Sequence, residues 1–111
     1  MLRSICNLAL RNIAYNPPKP GNKVVSSIQE AIQDIKSGSS IAIGGYGPLG
    51  QPQSLINQLA KTNQNAFTLY TATLGGANYG ITPLLREKKV KSLITSQCGD
   101  DEISSELFKK G

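Results

Sequence analysis

The sequence predicts an α/β protein with an open, mostly parallel sheet and flanking helices. Apolar residues at helical spacing alternate along the chain with short runs of β-branched and aromatic residues, and this alternation is typical of parallel sheets. Glycine-rich loops follow the first and second of these runs. In open α/β sheets, loops in that position lie at the carboxyl ends of the strands, where ligands bind.

The first half of the chain contains two predicted helices and one strand. Ser27 and Glu30 form a Ser-x-x-Glu capping box, and apolar residues then recur at helical spacing up to Gly38, the expected C′ residue. A short buried strand follows over residues 40–43. Pro52 opens the second helix, because its missing N–H is tolerated in the first turn. The apolar face of that helix contains Leu55, Ile56, Leu59 and Ala60.

The second half continues the alternation. Residues 66–73 form a strand rich in threonine and aromatic residues, and a Gly-Gly-Ala-Asn loop follows it. Thr82-Pro83 begins a short helical turn, and residues 91–96 give a third strand. Asp100 is the expected N-cap of a last helix. Its apolar residues are Ile103 and Leu107.

The net charge of +5 is concentrated at the N-terminus. Four basic residues precede the first acidic residue, Glu30, and the other 8 Lys and Arg residues nearly balance the 7 Asp and Glu residues. The folded part is therefore close to neutral, and its few aromatic residues are not interleaved with basic ones. No nucleic-acid partner is therefore expected. No apolar run approaches the roughly 20 residues that span a bilayer, so no membrane span is expected.

Residues 1–22 have the composition of a targeting segment. On a helical wheel, Arg3 and Arg11 share one side with small polar residues, and apolar residues share the other. An amphipathic, acid-free stretch of this kind is typical of a mitochondrial transit peptide. We therefore expect residues 1–22 to be a transit peptide and Pro-rich linker, residues 23–111 to be the folded portion, and the protein to lie in the mitochondrial matrix. The alternative is an ordinary disordered N-terminus.

Two cysteines and no histidine restrict the chemistry. Cys6 lies in the expected transit peptide, so no disulfide is expected within the mature chain. Without histidine a Cys-His nucleophile cannot form within this chain, and we interpret Cys98 as a small buried side chain. Two cysteines supply too few donors for a zinc site, so no metal site is expected.

The loop after the first strand allows two interpretations. Gly45, Gly47 and Gly50 spell Gly-x-Gly-x-x-Gly between a strand and a helix, which is the fingerprint of a dinucleotide site. That site also needs an acidic residue about 20 residues later to bind the ribose. No acidic residue lies between Asp34 and Glu87, so the dinucleotide site is incomplete.

The second interpretation comes from the wider sequence of residues 37–52, S-G-S-S-I-A-I-G-G-Y-G-P-L-G-Q-P. It resembles the signature of family I CoA-transferases, the group that includes succinyl-CoA:3-oxoacid CoA-transferase. Tyr46 replaces a phenylalanine of that signature, and Ser37 replaces an acidic or amide residue. The matching residues are Gly38, Ile41, Ala42, Ile43, Gly44, Gly45, Gly50 and Pro52. The resemblance continues through residues 78–91 and 95–99, so residues 23–111 resemble an N-terminal fragment of such an enzyme.

The resemblance implies part of a CoA-transferase domain, incomplete in this chain, and a transferase activity. In the family, a glutamate carboxylate attacks the acyl-CoA and forms first an anhydride and then a glutamyl-CoA thioester. That glutamate lies in the family's second half, in a Ser-Glu-Asn-Gly-like context that this chain lacks. We therefore assign no catalytic residue, interpret the glutamates of this chain as solvated surface groups, and expect the chain alone to be inactive.

The resemblance further implies that the glycine loop lines the acyl-acid pocket beside the CoA thioester. The expected substrate-binding residues are Gly44, Gly45, Tyr46, Gly47, Gly50 and Asn78. The alternative is that the glycines only allow the strand to turn sharply against its helix. Where the succinyl-CoA enzymes carry an Asn-Asn pair after the second strand, this chain has Ala72 and Thr73, which alters the polar contacts expected for the acid substrate.

The function implied by the resemblance is transfer of CoA between succinyl-CoA and a 3-oxo acid such as acetoacetate, in ketone-body catabolism. The expected partners are an acyl-CoA, a small carboxylic acid, and either the glutamate-bearing half of a CoA-transferase or further copies of the chain. Coenzyme A enters as part of the substrate, and no separate cofactor is expected. The alternative is a non-catalytic CoA-transferase-like remnant that serves as a structural or interaction subunit in mitochondria.

Overall fold

A computed structural model describes residues 24–47, 49–97 and 102–110 of the chain. Its helices are α1 (Ile28–Ile32), α2 (Gln53–Lys61), α3 (Thr82–Arg86) and α4 (Glu102–Lys110). Its strands are β1 (Ser40–Ile43), β2 (Phe67–Thr73), β3 (Gly75–Gly76), β4 (Tyr79–Gly80) and β5 (Val90–Gln97). The predicted α/β fold class is confirmed, and the three predicted strands correspond to β1, β2 and β5.

Strands β1, β2 and β5 form a parallel sheet in the order β1-β2-β5. Ile41 pairs with Leu69, and Leu69 pairs with Leu93, so a row of apolar residues crosses the middle of the sheet. Helix α2 connects β1 to β2 along the chain, and α3 precedes β5. Because the strands are parallel, their carboxyl ends lie at one edge of the sheet. The loops that follow β1 and β2 are neighbours at that edge, as predicted.

The hydrophobic core lies between one face of the sheet and helices α2 and α3. Alternate residues of β2 are buried, and Phe67 and Leu69 are 0% exposed. Ile56 and Leu59 of α2 and Leu84 of α3 belong to the same apolar cluster. Burial of one such side chain stabilises the fold by about 1.5–3 kcal/mol, so these residues supply a large part of the stability of a domain this small.

The opposite face of the sheet is exposed in the described part of the chain. Tyr70 and Ile94, which pair with each other on β2 and β5, are each 47% exposed, and Ala42 and Ala72 are exposed beside them. Parallel sheets normally have both faces covered by helices. A parallel sheet with one covered face is what part of a larger α/β domain is expected to show.

The buried face of α2 is narrower than predicted. Ile56, Leu59 and Ala60 are buried, whereas Leu55 is 38% exposed. Consecutive helical residues are rotated by about 100° around the axis, so Leu55 lies at the edge of the apolar stripe that contains Ile56.

Helix α1 begins as predicted but is shorter than predicted. Ser27 is its N-cap, and the Ser27 hydroxyl accepts a hydrogen bond from the Glu30 N–H at 3.1 Å. The helix ends at Ile32 and does not continue to Gly38. The Lys36 N–H donates to the Ser39 hydroxyl at 3.1 Å, so a local side chain takes a donor that a longer helix needs. Gly38 does adopt a positive φ of 81°, but its N–H donates to the Asn65 carbonyl at 2.9 Å, outside any helix.

The Glu30 carboxylate completes the cap from the other side. It accepts hydrogen bonds from the Ser26 hydroxyl at 2.7 Å and from the Ser26 N–H at 2.9 Å. The hydroxyl contact, followed by the backbone contact, holds the pKa of Glu30 below its usual value. This glutamate is therefore an exposed capping residue, but it binds Ser26, one residue before the N-cap that the Ser-x-x-Glu pattern predicts as its partner.

The residues after β2 differ from the prediction. Gly75–Gly76 and Tyr79–Gly80 form a short antiparallel hairpin where the sequence predicts only a loop. In the last helix, Ile103 is half-buried and packs against the core as predicted. The predicted N-cap Asp100, the Leu107 side chain, both cysteines and residues 1–22 lie outside what the structure describes. Within the described ranges, no helix is long and apolar enough to cross a membrane.

Candidate functional site

The loop between β1 and α2 turns tightly at the edge of the sheet. Tyr46 and Leu49 exchange two backbone hydrogen bonds, at 2.9 and 3.1 Å, and their side chains are 72% and 74% exposed. Gly45, Gly47 and Gly50 have φ angles of +121°, +56° and +75°, a region that L-residues with side chains rarely adopt. The backbone conformation of the loop therefore requires glycine at these three predicted positions.

Gly44 differs from these three glycines. Its φ is not in the left-handed region, and an added Cβ atom would meet nothing within 4 Å. The fold itself therefore does not require a glycine at this position. Gly44 lines an open cleft of about 590 Å³ on the exposed face of the sheet, together with residues of β1, β2 and β5 that include Thr71 and Ser96. Glycine in such a place allows a ligand to approach the backbone closely.

Three backbone N–H groups of the loop are unpaired in the described part of the chain. They belong to Gly44, Gly45 and Gly50 and donate to no acceptor among the described residues. Gly50 is exposed and Gly45 is half-buried. Unpaired N–H groups in a loop ahead of a helix bind carboxylates and other anionic oxygens. This arrangement can bind an anionic oxygen without any charged side chain.

Gln51 and Thr73 fix the loop against the end of β2. The Gly47 N–H donates to the Thr73 hydroxyl at 2.9 Å. The Gln51 side-chain amide donates to the carbonyl of Gly47 at 3.2 Å and to that of Thr73 at 3.4 Å. Gln51 and Thr73 are 6% and 7% exposed. We call these three contacts the Gln51–Thr73 clamp.

The clamp leaves one polar atom without a partner. The Oε1 atom of Gln51 is buried and accepts no hydrogen bond within the part of the chain that the structure describes. An unsatisfied buried acceptor costs about 1–3 kcal/mol of stability. The two hydrogen bonds that the amide donates contribute about 1 kcal/mol each, so their sum is similar to the cost of the unsatisfied acceptor. The amide therefore contributes little to net stability, although it joins the loop to the end of β2.

The hairpin after β2 packs closely against the same region. A Cβ atom on Gly80 would lie 2.1 Å from the Leu74 carbonyl oxygen and 2.7 Å from Oε1 of Gln51. The Gly80 N–H donates to Oε1 of Gln53 at 2.7 Å, and Nε2 of Gln53 lies 3.4 Å from the Gly80 carbonyl oxygen. The first residue of α2 thus fixes the hairpin, and both glycine loops meet the start of the same helix.

Asn78 lies apart from the other predicted site residues. It is exposed in the turn of the β3–β4 hairpin and lines a second cleft, of about 740 Å³, between α2 and α3. That cleft is lined by Lys61, Arg86 and Lys89, and by none of the loop glycines. Nζ of Lys89 donates to the Thr62 and Gln64 carbonyls, so this cation stabilises the end of α2. The structure thus brings the loop glycines and Tyr46 together but places Asn78 in a different cleft.

The site contains no described carboxylate. Glu30, Glu87, Glu102 and Glu106 are all exposed and lie outside the loop, as the sequence predicts. In the described ranges, no three His, Cys, Asp or Glu residues lie close enough to bind a metal ion. The chemistry that the described site supports is binding of an anionic oxygen by backbone N–H groups.

Sequence reasoning missed Gln51, and it singled out Thr73 only as a replacement in the family's Asn-Asn pair, without its contact to the glycine loop. The two hydrogen bonds of the clamp that involve Thr73 join residues 22 and 26 positions apart in the chain, so no local sequence pattern predicts them. A weak signal was present for Gln51, because a long polar side chain stands between Gly50 and Pro52 at the turn into a helix.

Comparison with known proteins identifies the family. Residues 25–111 match the sequence model of the coenzyme A transferase family. The chain is 33% identical over 92 residues to one subunit of the 3-oxoadipate CoA-transferase of Acinetobacter baylyi, covering 81% of this chain and 40% of that protein. It is 33% identical over 92 residues to the alpha subunit of a probable coenzyme A transferase of Bacillus subtilis, with 83% and 40% covered.

A third relative carries the substrate pair in its name. This relative is one subunit of the succinyl-CoA:3-ketoacid coenzyme A transferase of Helicobacter pylori strain J99. Its identity to the chain is 29% over 90 residues, which cover 81% of this chain and 39% of that protein. The chain therefore spans about 40% of the length of these relatives. The family match covers the whole described fold, including the glycine loop, the hairpin and the three parallel strands. On this breadth of similarity, the chain belongs to the coenzyme A transferase family.

Proposed function

We propose that the chain supplies the acid-binding loop of a CoA-transferase that moves CoA between succinyl-CoA and a 3-oxo acid such as acetoacetate. The observation that carries the proposal is the set of unpaired N–H groups, on Gly44, Gly45 and Gly50, at the carboxyl edge of the sheet among the described residues. Such groups bind a carboxylate and stabilise a developing oxyanion. Relatives named as subunits of succinyl-CoA:3-ketoacid coenzyme A transferases favour this pair of substrates.

In the proposed reaction, a partner supplies the nucleophile. Its glutamate carboxylate attacks the acyl carbon of succinyl-CoA, the C–S bond breaks, and CoA leaves as the thiolate. The thiolate then attacks the glutamyl carbon of the resulting anhydride, and succinate leaves with the electron pair of the broken C–O bond. Acetoacetate reverses both steps from the glutamyl-CoA thioester and leaves as acetoacetyl-CoA. The loop of this chain holds the acid carboxylate during the two steps that involve an acid.

The names of the relatives support a partner. Several are named as one subunit of their enzyme, which implies a second subunit in those enzymes. None of the described glutamates of this chain lies at the loop. The same names do not favour the alternative of a non-catalytic remnant, because they belong to CoA-transferases.

An activity assay tests this proposal. The chain alone, given succinyl-CoA and acetoacetate, is expected to form no acetoacetyl-CoA above the rate without enzyme. The complex that co-purifies with the tagged chain from its own cells is expected to form it, and only when both substrates are present. Turnover by the isolated chain would refute the need for a partner. A co-purified complex without transferase activity would refute the proposed function.

The proposal places the enzyme in mitochondria, where the ketone-body reaction would run. It rests on the acid-free, arginine-containing pattern of residues 1–22. A fusion of residues 1–22 to a fluorescent protein is expected to enter mitochondria. A matched fusion that carries Arg3→Glu and Arg11→Glu is expected to stay in the cytosol, because these charges drive import. Cytosolic fluorescence from the unchanged fusion would contradict the localisation.

A further inference from the structure

Gln51 occupies the space between the two glycine loops. Its Cγ atom lies 2.5 Å from the position of a Cβ on Gly45, and its Oε1 atom lies 2.7 Å from the position of a Cβ on Gly80. Both distances are too short for any side chain at those positions. The Gln51 side chain therefore fills a volume that the two glycines leave for it.

The side-chain hydrogen bonds of Gln51 join the loop to the end of β2. Its Nε2 atom donates to the carbonyls of Gly47 and Thr73, and the Gly47 N–H donates in turn to the Thr73 hydroxyl. Both polar ends of the Gly47 residue are thus occupied by the clamp. Gly47, with a φ of +56°, lies inside the turn that the two Tyr46–Leu49 backbone hydrogen bonds close, and the clamp joins this turn to the end of β2.

The unsatisfied Oε1 atom of Gln51 indicates that the amide acts on the position of the loop more than on the stability of the fold. Its Oε1 atom is buried without a donor, so a purely apolar side chain of the same length would fill the same volume and leave no buried acceptor unpaired. A residue selected only for packing has no reason to carry this amide. Its two donated bonds affect where the loop lies, and the loop carries the unpaired N–H groups of Gly45 and Gly50.

We propose that Gln51 and Thr73 are positioning residues that orient the Gly44–Gly50 loop toward the acid substrate. Neither residue touches the substrate. They fix Gly47, and thereby aim the N–H groups of the two neighbouring glycines at the carboxyl edge of the sheet. The orientation of the loop stands on the contacts alone, and its consequence for the acid substrate rests on the proposed CoA-transferase function.

Residue-resolved amide hydrogen exchange of the full chain tests the clamp itself. Thr73→Val removes the acceptor of the Gly47 N–H at nearly constant volume, and Gln51→Met removes the amide at nearly constant length. Both are expected to accelerate exchange of the Gly47 N–H at least tenfold and to leave that of Leu69 within twofold. Thr73→Ser keeps a hydroxyl and is expected to restore the slow exchange. Gln33→Met, at an exposed glutamine beyond α1, is the matched control and is expected to change neither.

Kinetics of the co-purified complex test the consequence for the substrate. Gln51→Met and Thr73→Val are expected to raise the KM for acetoacetate at least tenfold while kcat falls less than threefold, and Thr73→Ser is expected to stay near the original KM. Unchanged Gly47 exchange in both variants would overturn the clamp. Faster exchange with an unchanged KM would overturn the positioning role. An inactive complex before any substitution would instead overturn the proposed function, and the exchange data would then decide the clamp alone.

Discussion

Replacing Gly80 by alanine is expected to lower the free energy of unfolding by about 3–5 kcal/mol, a large part of the stability of a small domain. Gly80 has a φ of +71°, which an L-residue adopts only with strain. The new Cβ atom would also lie 2.1 Å from the Leu74 carbonyl oxygen. That oxygen accepts from the Ile81 N–H at 3.0 Å, so it cannot move away without breaking the hairpin. Urea unfolding followed by circular dichroism measures the loss.

Gly76→Ala is the matched control in the same hairpin. Gly76 has no positive φ, and a Cβ on it would meet nothing within 4 Å. Its substitution is expected to change the free energy of unfolding by less than about 0.5 kcal/mol. Equal losses for the two variants, or a loss below about 1 kcal/mol for Gly80→Ala, would show that the hairpin is not packed as described.

The β3–β4 hairpin is also an element that local sequence patterns do not predict. The strands β1, β2 and β5 are short apolar runs between turn residues, and their positions follow from local pattern to within one residue. Gly75 and Gly80 have low strand propensity, and Gln53, which lies 27 residues from Gly80, stabilises their pairing by binding Gly80. A tertiary contact stabilises this element, so local pattern could not reveal it.

The early end of α1 has a related cause. The spacing of its apolar residues continues to Ile35, and this spacing favours a longer helix. The hydroxyl of Ser39 and the carbonyl of Asn65 take the N–H groups of Lys36 and Gly38. Asn65 lies just before β2, so part of this competition comes from another element of the fold.

The candidate site was predictable to the extent that it depends on backbone conformation. The need for glycine at three positions of the loop is visible in the sequence, because a strand turns there into a helix within a few residues. The clamp depends on which side chain meets which carbonyl across the sheet edge, and Gln51 has no local signature for that role. Asn78 was placed by resemblance alone, and the fold puts it in another cleft.

Two neighbouring glycines, Gly45 and Gly44, distinguish a conformational role from a ligand-binding role. At Gly45, with φ +121°, a Cβ atom would lie 2.5 Å from Cγ of Gln51 and 2.9 Å from the Leu49 carbonyl oxygen. Gly45→Ala is therefore expected to lower the free energy of unfolding by about 2–4 kcal/mol, as measured by urea unfolding. A change below about 1 kcal/mol would contradict the described path of the loop.

Gly44→Ala is expected to give the opposite pattern. Its Cβ would meet nothing within 4 Å, so the free energy of unfolding is expected to change by less than about 0.5 kcal/mol. The methyl group would, however, enter the open cleft at the carboxyl ends of the strands. If the acid substrate lies against this backbone, its KM in the active complex rises at least tenfold, because a methyl group occupies the position of the ligand. An unchanged KM would mean that the substrate does not approach Gly44.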